Sequence, residues 1–364
     1  MPSANRAIIA AAGSGKTQLL VDAALADRSR RVLITTYTQE NLREVEARLW
    51  RAGAGVEHGV TTMTWFEFLL RDGVKPYQAY KTAIGRISSI NFSVRRQQTP
   101  WLRWIPKSNF EGYYLDSDGN VYQDAVSDLT CLLDEASGGK VVARLASCYD
   151  AIFIDEMQDL AAHDLALLER LLNSGVQVLA VGDPRQGVYS TNSAPRYRQY
   201  RRAGVVKWIG EQEHAGLLVA ESLTVSHRCN QLICDFADAL YPDLPRTSST
   251  NETVVDDMGV QLVHVDTLDA YRAAYSPQDL RWSKSAKRAS ETALNFGQVK
   301  GACFDRVLIH PTGTITDYIE RGAVLKDEAR AKFYVAITRA RHSVAIVTER
   351  LATQSSLSYW TPPT

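Results

Sequence analysis

The chain has 364 residues, is 45% hydrophobic and 23% charged, and carries zero formal net charge. That length supports two ordinary domains with real cores, and the composition is globular rather than disordered or fibrous. A neutral balance names no partner, so any nucleic-acid surface has to arise from local charge asymmetry.

The five cysteines (Cys131, Cys148, Cys229, Cys234, Cys303) are scattered, with no CxxC pair or Cys/His cluster at zinc spacing. They read as reduced thiols, which places the protein in the cytoplasm: nucleoid-associated, or in a host cytoplasm if phage-encoded. No apolar run reaches the roughly 18 residues of a membrane span, so no membrane partner is expected. The opening stretch "MPSANRAIIAAAGSGKT" runs straight into a glycine-rich loop without the pattern of a signal peptide.

In chain order, "RAIIAA" (6–11) is a short apolar strand, followed by the loop "AAAGSGKT" (10–17) and the helical "TQLLVDAALAD". "RVLITTYT" (31–38) is a second strand and "ENLREVEARLW" a second helix. Further strands are predicted at "YDAIFID" (149–155), "VQVLAVGD" (176–183), "RVLIHP" (306–311) and "HSVAIVT" (342–348), alternating with helical stretches such as "AAHDLALLERLL" and "KDEARAKFYVAITRAR". This alternation predicts an α/β fold with parallel, doubly wound sheets. Residues 71–147 are poor in clear strands and rich in aromatics and turns, which suggests an accessory insertion. Residues 243–257 are polar and turn-forming, a surface loop or linker. The tail, "SLSYWTPPT", is expected to be poorly ordered. The expected division is a first domain over 1–215 carrying the insertion, a second over 216–350, and a flexible tail from 351.

The loop has the chemistry of a phosphate cradle. Successive backbone N–H groups and a helix N-terminus surround phosphate oxygens, a lysine adds positive charge, and a hydroxyl ligates Mg²⁺. Gly13 and Gly15 supply the permissive backbone, Lys16 the charge and Thr17 the hydroxyl, while Ala10 stands where the usual pattern has glycine. The second half of such a site is an acidic pair ending a buried strand. "AIFIDEMQD" (151–159) provides it: Asp155 to hold Mg²⁺ through water, Glu156 to orient and deprotonate the attacking water.

With "DEMQD" in place, the chain resembles the UvrD/Rep-type superfamily 1 DNA helicases, over nearly its whole length and with motifs in the family's order. "AAAGSGKT" is similar to the family's first motif, where alanine is common at the position of Ala10. "ITTYTQENLREVEARL" and "VTTMTWFEFLL" (60–70) resemble the next two. "AVGDPRQGVY" (180–189), "LTVSHRC" (223–229), "VKGACFDRVLI" (299–309) and "KFYVAITRAR" (332–341) resemble those that follow. The resemblance implies two RecA-like P-loop domains. It assigns ATP to Ala12, Gly13, Ser14, Gly15, Lys16, Thr17 and Gln18, with Gly301, Arg228 and Arg339 from the second domain. Gln186 would sense the γ-phosphate, Arg228 would reach it, and Arg339 would be the arginine finger. Tyr37, Thr62, Trp65 and Tyr189 would meet the nucleic-acid strand.

The sequence also departs from the family's pattern. Residues 1–9 leave no room for the family's adenine-reading helix and glutamine. Cys303 replaces a sugar-contacting glutamate. Asn295 and Gly297 stand where Thr and His usually precede that motif, and Thr191 replaces a base-stacking tryptophan. The interval from Arg228 to Lys300 is too short for the large accessory insertion of the second domain.

Local charge points to where a strand would lie. From Gly73 to Phe110 there are seven basic residues and no acidic one, and "PRYRQYRR" lies in a second acid-free run from Arg185 to Lys207. Basic side chains neutralise phosphates and exposed aromatics stack on bases. Arg95 and Arg96 are therefore assigned to the strand, whereas Trp101 and Trp104 are expected to form the insertion's small core.

The function these readings imply is ATP- and Mg²⁺-dependent translocation on single-stranded DNA by a monomeric motor, 3′→5′ by resemblance, with RNA not excluded. In it, ATP binding draws the arginines of the second domain onto the γ-phosphate and hydrolysis releases them. The alternative is a nucleic-acid-stimulated ATPase subunit or switch without autonomous unwinding, working with a protein partner that supplies processivity or nuclease activity. A binding module with a dead ATPase conflicts with the intact Lys16, Asp155, Glu156 and Arg339. A P-loop kinase or GTPase leaves "DEMQD" and "TRAR" unexplained.

Overall fold

The computed structural model describes residues 5–53, 59–81, 86–188, 191, 196–350 and 355–362. The chain divides into two units. The first comprises residues 1–9, Lys16–Pro184 and Tyr189–Glu221; the second comprises Ala10–Gly15, Arg185–Val188 and Ser222–Thr364. The main division therefore falls between Glu221 and Ser222, and two short segments before it group with the second unit.

The first unit is built on β1 (Arg6–Ala10), α1 (Lys16–Leu25), β2 (Val32–Thr36), α2 (Gln39–Arg51) and β3 (Val60–Thr64). These are followed by α3 (Val126–Ala136), α4 (Lys140–Cys148), β4 (Ala151–Ile154), α5 (His163–Leu172), β5 (Gln177–Gly182), α6 (Val205–His214) and β6 (Val219–Leu223). The sheet order is β3-β2-β4-β5-β1-β6, and β3, β2, β4, β5 and β1 pair in parallel. Every residue of β2 and β4 is buried, as expected of parallel strands covered on both faces. Consecutive strands β1 and β2 are separated by β4 and β5, so the chain crosses over the sheet immediately after the glycine loop. Such a switch point puts loops at the carboxyl ends of the strands, where open α/β sheets bind ligands.

Residues 71–147 do not form a separate body. Val121, Val126, Leu129, Leu133 and Tyr114 belong to the same apolar cluster as Ile152, Ile154, Val178 and Leu168 of the sheet and α5. Among its described residues the strands are a two-residue pair, Ile90–Asn91 with Val121–Tyr122.

The second unit carries α7 (Gln231–Asp238), β7 (Gly259–His264), α8 (Leu268–Tyr275), β8 (Gln278–Arg281), β9 (Leu294–Asn295), β10 (Phe304–His310), α9 (Gly313–Arg321), α10 (Asp327–Ile337) and β11 (Ala340–Thr348). Its sheet runs β7-β11-β10-β8-β9, all parallel. The polar stretch 243–257 is largely exposed, as expected, but ends in an anchor: buried Asp257 accepts from Arg306 Nε at 3.0 Å, Ser343 Oγ at 2.6 Å and Tyr271 Oη at 3.2 Å. One expectation is corrected here. The described part of the tail is docked, not loose. Leu262 N donates to Ser358 O at 2.9 Å and Trp360 N to Leu262 O at 2.8 Å. The Trp360 ring packs edge-on against Tyr271, 5.1 Å between centroids, within the core beside Val263 and Leu308. Apolar burial by one large ring explains the order that composition alone does not announce.

Candidate functional site

The glycine loop leaves β1 at fully buried Ala10 and enters α1 at Lys16. Gly13 and Gly15 have φ of +75° and +79°, a region that side chains with a Cβ rarely adopt. At Gly13 space is also closed: a Cβ there would lie 2.6 Å from Arg228 Cβ. Within the second unit the loop is tied by His227 N to Gly13 O at 3.0 Å and by Ser226 Oγ to Ala12 O at 2.8 Å. Ser14 Oγ is buried without a hydrogen-bond partner. A buried hydroxyl costs free energy when left unpaired, and a phosphate oxygen is the acceptor that this loop chemistry would supply.

On the first unit, Lys16 Nζ lies 3.0 Å from Glu156 Oε1, and Thr17 Oγ1 lies 3.4 Å from Asp155 Oδ2. Asp155 and Glu156 follow directly on β4, so a strand buried on both faces fixes the base of the acidic pair. Glu156 itself has φ 58° and ψ 43°, left-handed geometry that costs a non-glycine residue about 1 kcal/mol or more. The strain is held by its partners. Gln158 Nε2 donates to Glu156 Oε2, and Gln158 Oε1 accepts from Asp183 N at 3.0 Å. Gln158 in turn needs Gly182, because a Cβ at that position would overlap its Oε1. "DEMQD" and "VGD" are thus one device: the glutamine fastens the carboxylate to the end of β5.

Two hard oxygen donors, a hydroxyl and a carboxylate, converge at Thr17 and Asp155. That donor set fits Mg²⁺, which keeps several waters and takes one or two protein oxygens. Among the described residues no group of three or more His, Cys, Asp or Glu side chains could hold a metal.

On the second unit, Arg339 is 1% exposed. Its guanidinium donates to Val335 O at 3.1 Å, Ala302 O at 3.2 Å and Gln186 Oε1 at 3.2 Å. Two predicted γ-phosphate residues, Gln186 and Arg339, are therefore hydrogen-bonded to each other. Arg228 Nη1 donates to Thr338 O at 3.2 Å, next to Arg339 in sequence. Gly301 has φ 93°, so the turn before β10 requires glycine there. Gln18 is engaged by its neighbours, donating to Asp22 at 2.8 Å and accepting from Arg48 at 2.9 Å.

The residues assigned to the strand divide. Tyr37 is half-buried with its ring 5.9 Å from Phe66. Burial, then the charge of Asp159, pushes its phenol up, while a hydrogen bond and the charge of Arg95 oppose this. The structure therefore brings Tyr37 and Arg95 together. Thr62 Oγ1 donates to Glu46 at 3.1 Å.

Trp65 is a correction. It is 1% exposed, and its Nε1 donates to Asp164 Oδ1 at 2.7 Å, so it has no face for a base. Asp164, whose carboxyl is pushed up by burial, also accepts from Thr191 Oγ1 and from Ala161 N at 3.2 Å. Thr191, at the position where the resemblance leads one to expect tryptophan, thus completes a buried network. Sequence reasoning missed Asp164, which carries no motif signal inside an apolar helix.

Arg96 is also corrected: 2% exposed, its guanidinium stacks 3.6 Å from the Tyr113 ring centroid and donates to Ile105 O at 2.6 Å. Arg185, the first residue of the second basic run, is buried and pairs with Asp238 at 3.6 Å. Conversely Trp101 and Trp104, expected in the core, are 74% and 75% exposed. Tyr189 lies outside the described residues.

No helix among the described residues is long and apolar enough to cross a membrane. Two family models match the chain: an AAA domain over residues 1–192 and the viral superfamily 1 RNA helicase core domain over residues 138–348. No curated protein matches. Among solved structures, the chain is similar to arterivirus nonstructural protein 10 (helicase), at 16% identity and TM-score 0.48, covering 94% of this chain and 59% of that one. The complex of the same arterivirus helicase with DNA gives 15% identity and TM-score 0.48, covering 95% and 60%. The chain thus spans about three-fifths of the length of those proteins. The matches stand at the level of the superfamily and do not single out the UvrD/Rep type. With its phosphate loop, its acidic strand end and its buried second-unit arginine, the chain belongs to the superfamily 1 helicases.

Proposed function

We propose that the protein hydrolyses ATP with Mg²⁺ and uses the cycle to move along single-stranded nucleic acid, as a UvrD/Rep-like motor would on DNA. The observation that carries this reading is the set Lys16, Thr17, Asp155 and Glu156, drawn together at the carboxyl end of β4. In this reading Lys16 and the loop N–H groups bind the β- and γ-phosphates, and Thr17 and Asp155 hold Mg²⁺, which supplies charge neutralisation on the phosphates. Glu156 orients a water and takes its proton. Arg339 and Arg228 add positive charge to the transferring phosphoryl group, and the Gln186–Arg339 bond gives Gln186 a route to report the γ-phosphate. Tyr37 and Arg95 contact the strand, a base on the ring and a phosphate on the guanidinium.

A second reading, RNA as the track, is favoured by the viral RNA helicase core model over residues 138–348. The test is ATP hydrolysis with single-stranded DNA, duplex DNA and single-stranded RNA, followed by strand separation on 3′- and 5′-tailed duplexes. The proposal expects stimulation by single strands and separation of the 3′-tailed substrate. Stimulation without separation would make the protein a nucleic-acid-stimulated ATPase subunit or switch, and no stimulation by any strand would contradict the proposal.

A further inference from the structure

Trp101 and Trp104 stand out on the surface of the first unit. The four-residue helix Pro100–Arg103 turns Leu102 inward, where it packs on the apolar cluster, and leaves Trp101, Arg103 and Trp104 exposed. The Arg103 guanidinium lies 4.9 Å from the Trp104 ring centroid. Exposing two tryptophans is costly for solubility and has no packing reward.

The segment under them is rigidly built. Asp124 accepts from the backbone N–H groups of Arg96 and Gln97, at 3.0 and 2.8 Å. The buried Arg96 guanidinium holds Ile105 O at 2.6 Å, immediately after Trp104. A salt bridge from Lys107 to Asp128, 2.7 Å, pins the far side. Three polar anchors therefore fix a turn whose outward residues touch little of the protein, an arrangement suited to presenting rings to something else.

We infer that Trp101 and Trp104 form a stacking platform for the bases of single-stranded nucleic acid, separate from the contacts at Tyr37 and Arg95. The inference rests on the reading of the protein as a single-strand motor. Charge decides the occupant. Of the seven basic residues of the acid-free stretch 73–110, Arg96 is buried and Lys107 is paired with Asp128, while Lys81, Arg86 and Arg103 are exposed. Stacked bases bring phosphates with them, and those phosphates meet arginine. An apolar protein partner or a bilayer would instead call for aliphatic side chains around the rings, yet the neighbouring aliphatics, Leu102 and Ile105, are half-buried.

The experiment titrates fluorescein-labelled dT20 and U20 into wild type, W101A/W104A and W101F/W104F, reading anisotropy, with ATP hydrolysis in the absence of nucleic acid as the fold control. The inference expects W101A/W104A to bind the oligonucleotides about tenfold or more weaker, with unstimulated hydrolysis unchanged and phenylalanine restoring most of the affinity. Equal affinity of W101A/W104A and wild type would overturn the platform while leaving the motor reading intact. The platform would equally be overturned if W101A/W104A kept its oligonucleotide affinity but lost self-association on gel filtration or sedimentation with anionic vesicles. Failure of wild type to bind either oligonucleotide would overturn both readings.

Discussion

Lys16 Nζ and Glu156 Oε1 lie 3.0 Å apart, an ion pair between the first residue of α1 and the residue that follows Asp155. The ammonium neutralises the proposed base until phosphate oxygens compete for it, so nucleotide binding would couple the capture of phosphate to the release of the carboxylate. Glu156→Gln keeps the shape and the Gln158 contact but removes the proton acceptor. We expect it to bind nucleotide with near wild-type affinity and to lose about 10²-fold or more in turnover. Equilibrium binding of a fluorescent ATP analogue beside single-turnover hydrolysis checks this.

Arg339 spends its planar fork on three acceptors within the second unit. Lysine keeps the charge and cannot match that geometry. Arg339→Lys is therefore expected to lower turnover by about 10³-fold and to leave nucleotide affinity within a few-fold. Equal losses in binding and turnover would deny it a role specific to the transferring phosphoryl group.

Trp65 tests the division between core and strand surface. Trp65→Phe removes the indole donor to Asp164 Oδ1 in a buried place, where Thr191 and Ala161 hold the other oxygen, a loss of about 1–2 kcal/mol. The expected result is a lower urea midpoint with oligonucleotide affinity unchanged under folding conditions. A selective loss of affinity at unchanged stability would return Trp65 to the strand.

Acid should loosen the second unit in a definable window. Burial alone would raise the Asp279 carboxyl, but hydrogen bonds from His310 and Arg272 and from Ser290 N outweigh it and hold the group at about 2. Its folded value lies below the unfolded value of about 3.9, so its contribution is complete above that pH and is lost as pH falls towards 2. The shift corresponds to about 2.5 kcal/mol. Asp279→Asn should destabilise the protein at pH 7, and the difference from wild type should shrink between about pH 4 and pH 2, read by urea denaturation at each pH.

The parts of the site that were legible in the sequence are those fixed by the local backbone. Gly13 and Gly15 are dictated by positive φ, and Asp155 by the end of a four-residue apolar strand; both signals can be read in the local sequence, although His227 and Arg228 also close on Gly13. Trp65, Arg96, Trp101 and Trp104 were misread because exposure is decided by tertiary neighbours. Trp65 is buried by Asp164, ninety-nine positions away, and Arg96 by Tyr113 and Ile105. An arginine in a basic run reads as surface until a ring and a carbonyl are found around it. The strand Gly259–His264 was also missed: its burial alternates irregularly, and its tail partner, Ser358–Trp360, lies about a hundred residues on. Gln158 was legible as part of a motif, but not its purpose of clamping strained Glu156 to Asp183.

The central claim, a phosphate loop whose lysine drives strand-stimulated hydrolysis, is tested most directly by steady-state ATP hydrolysis of wild type and Lys16→Ala, with and without single-stranded DNA or RNA. The account predicts that wild-type hydrolysis rises with a single strand, and that Lys16→Ala, folded by circular dichroism, shows no hydrolysis above background under either condition. Strand-stimulated hydrolysis retained by Lys16→Ala would contradict it.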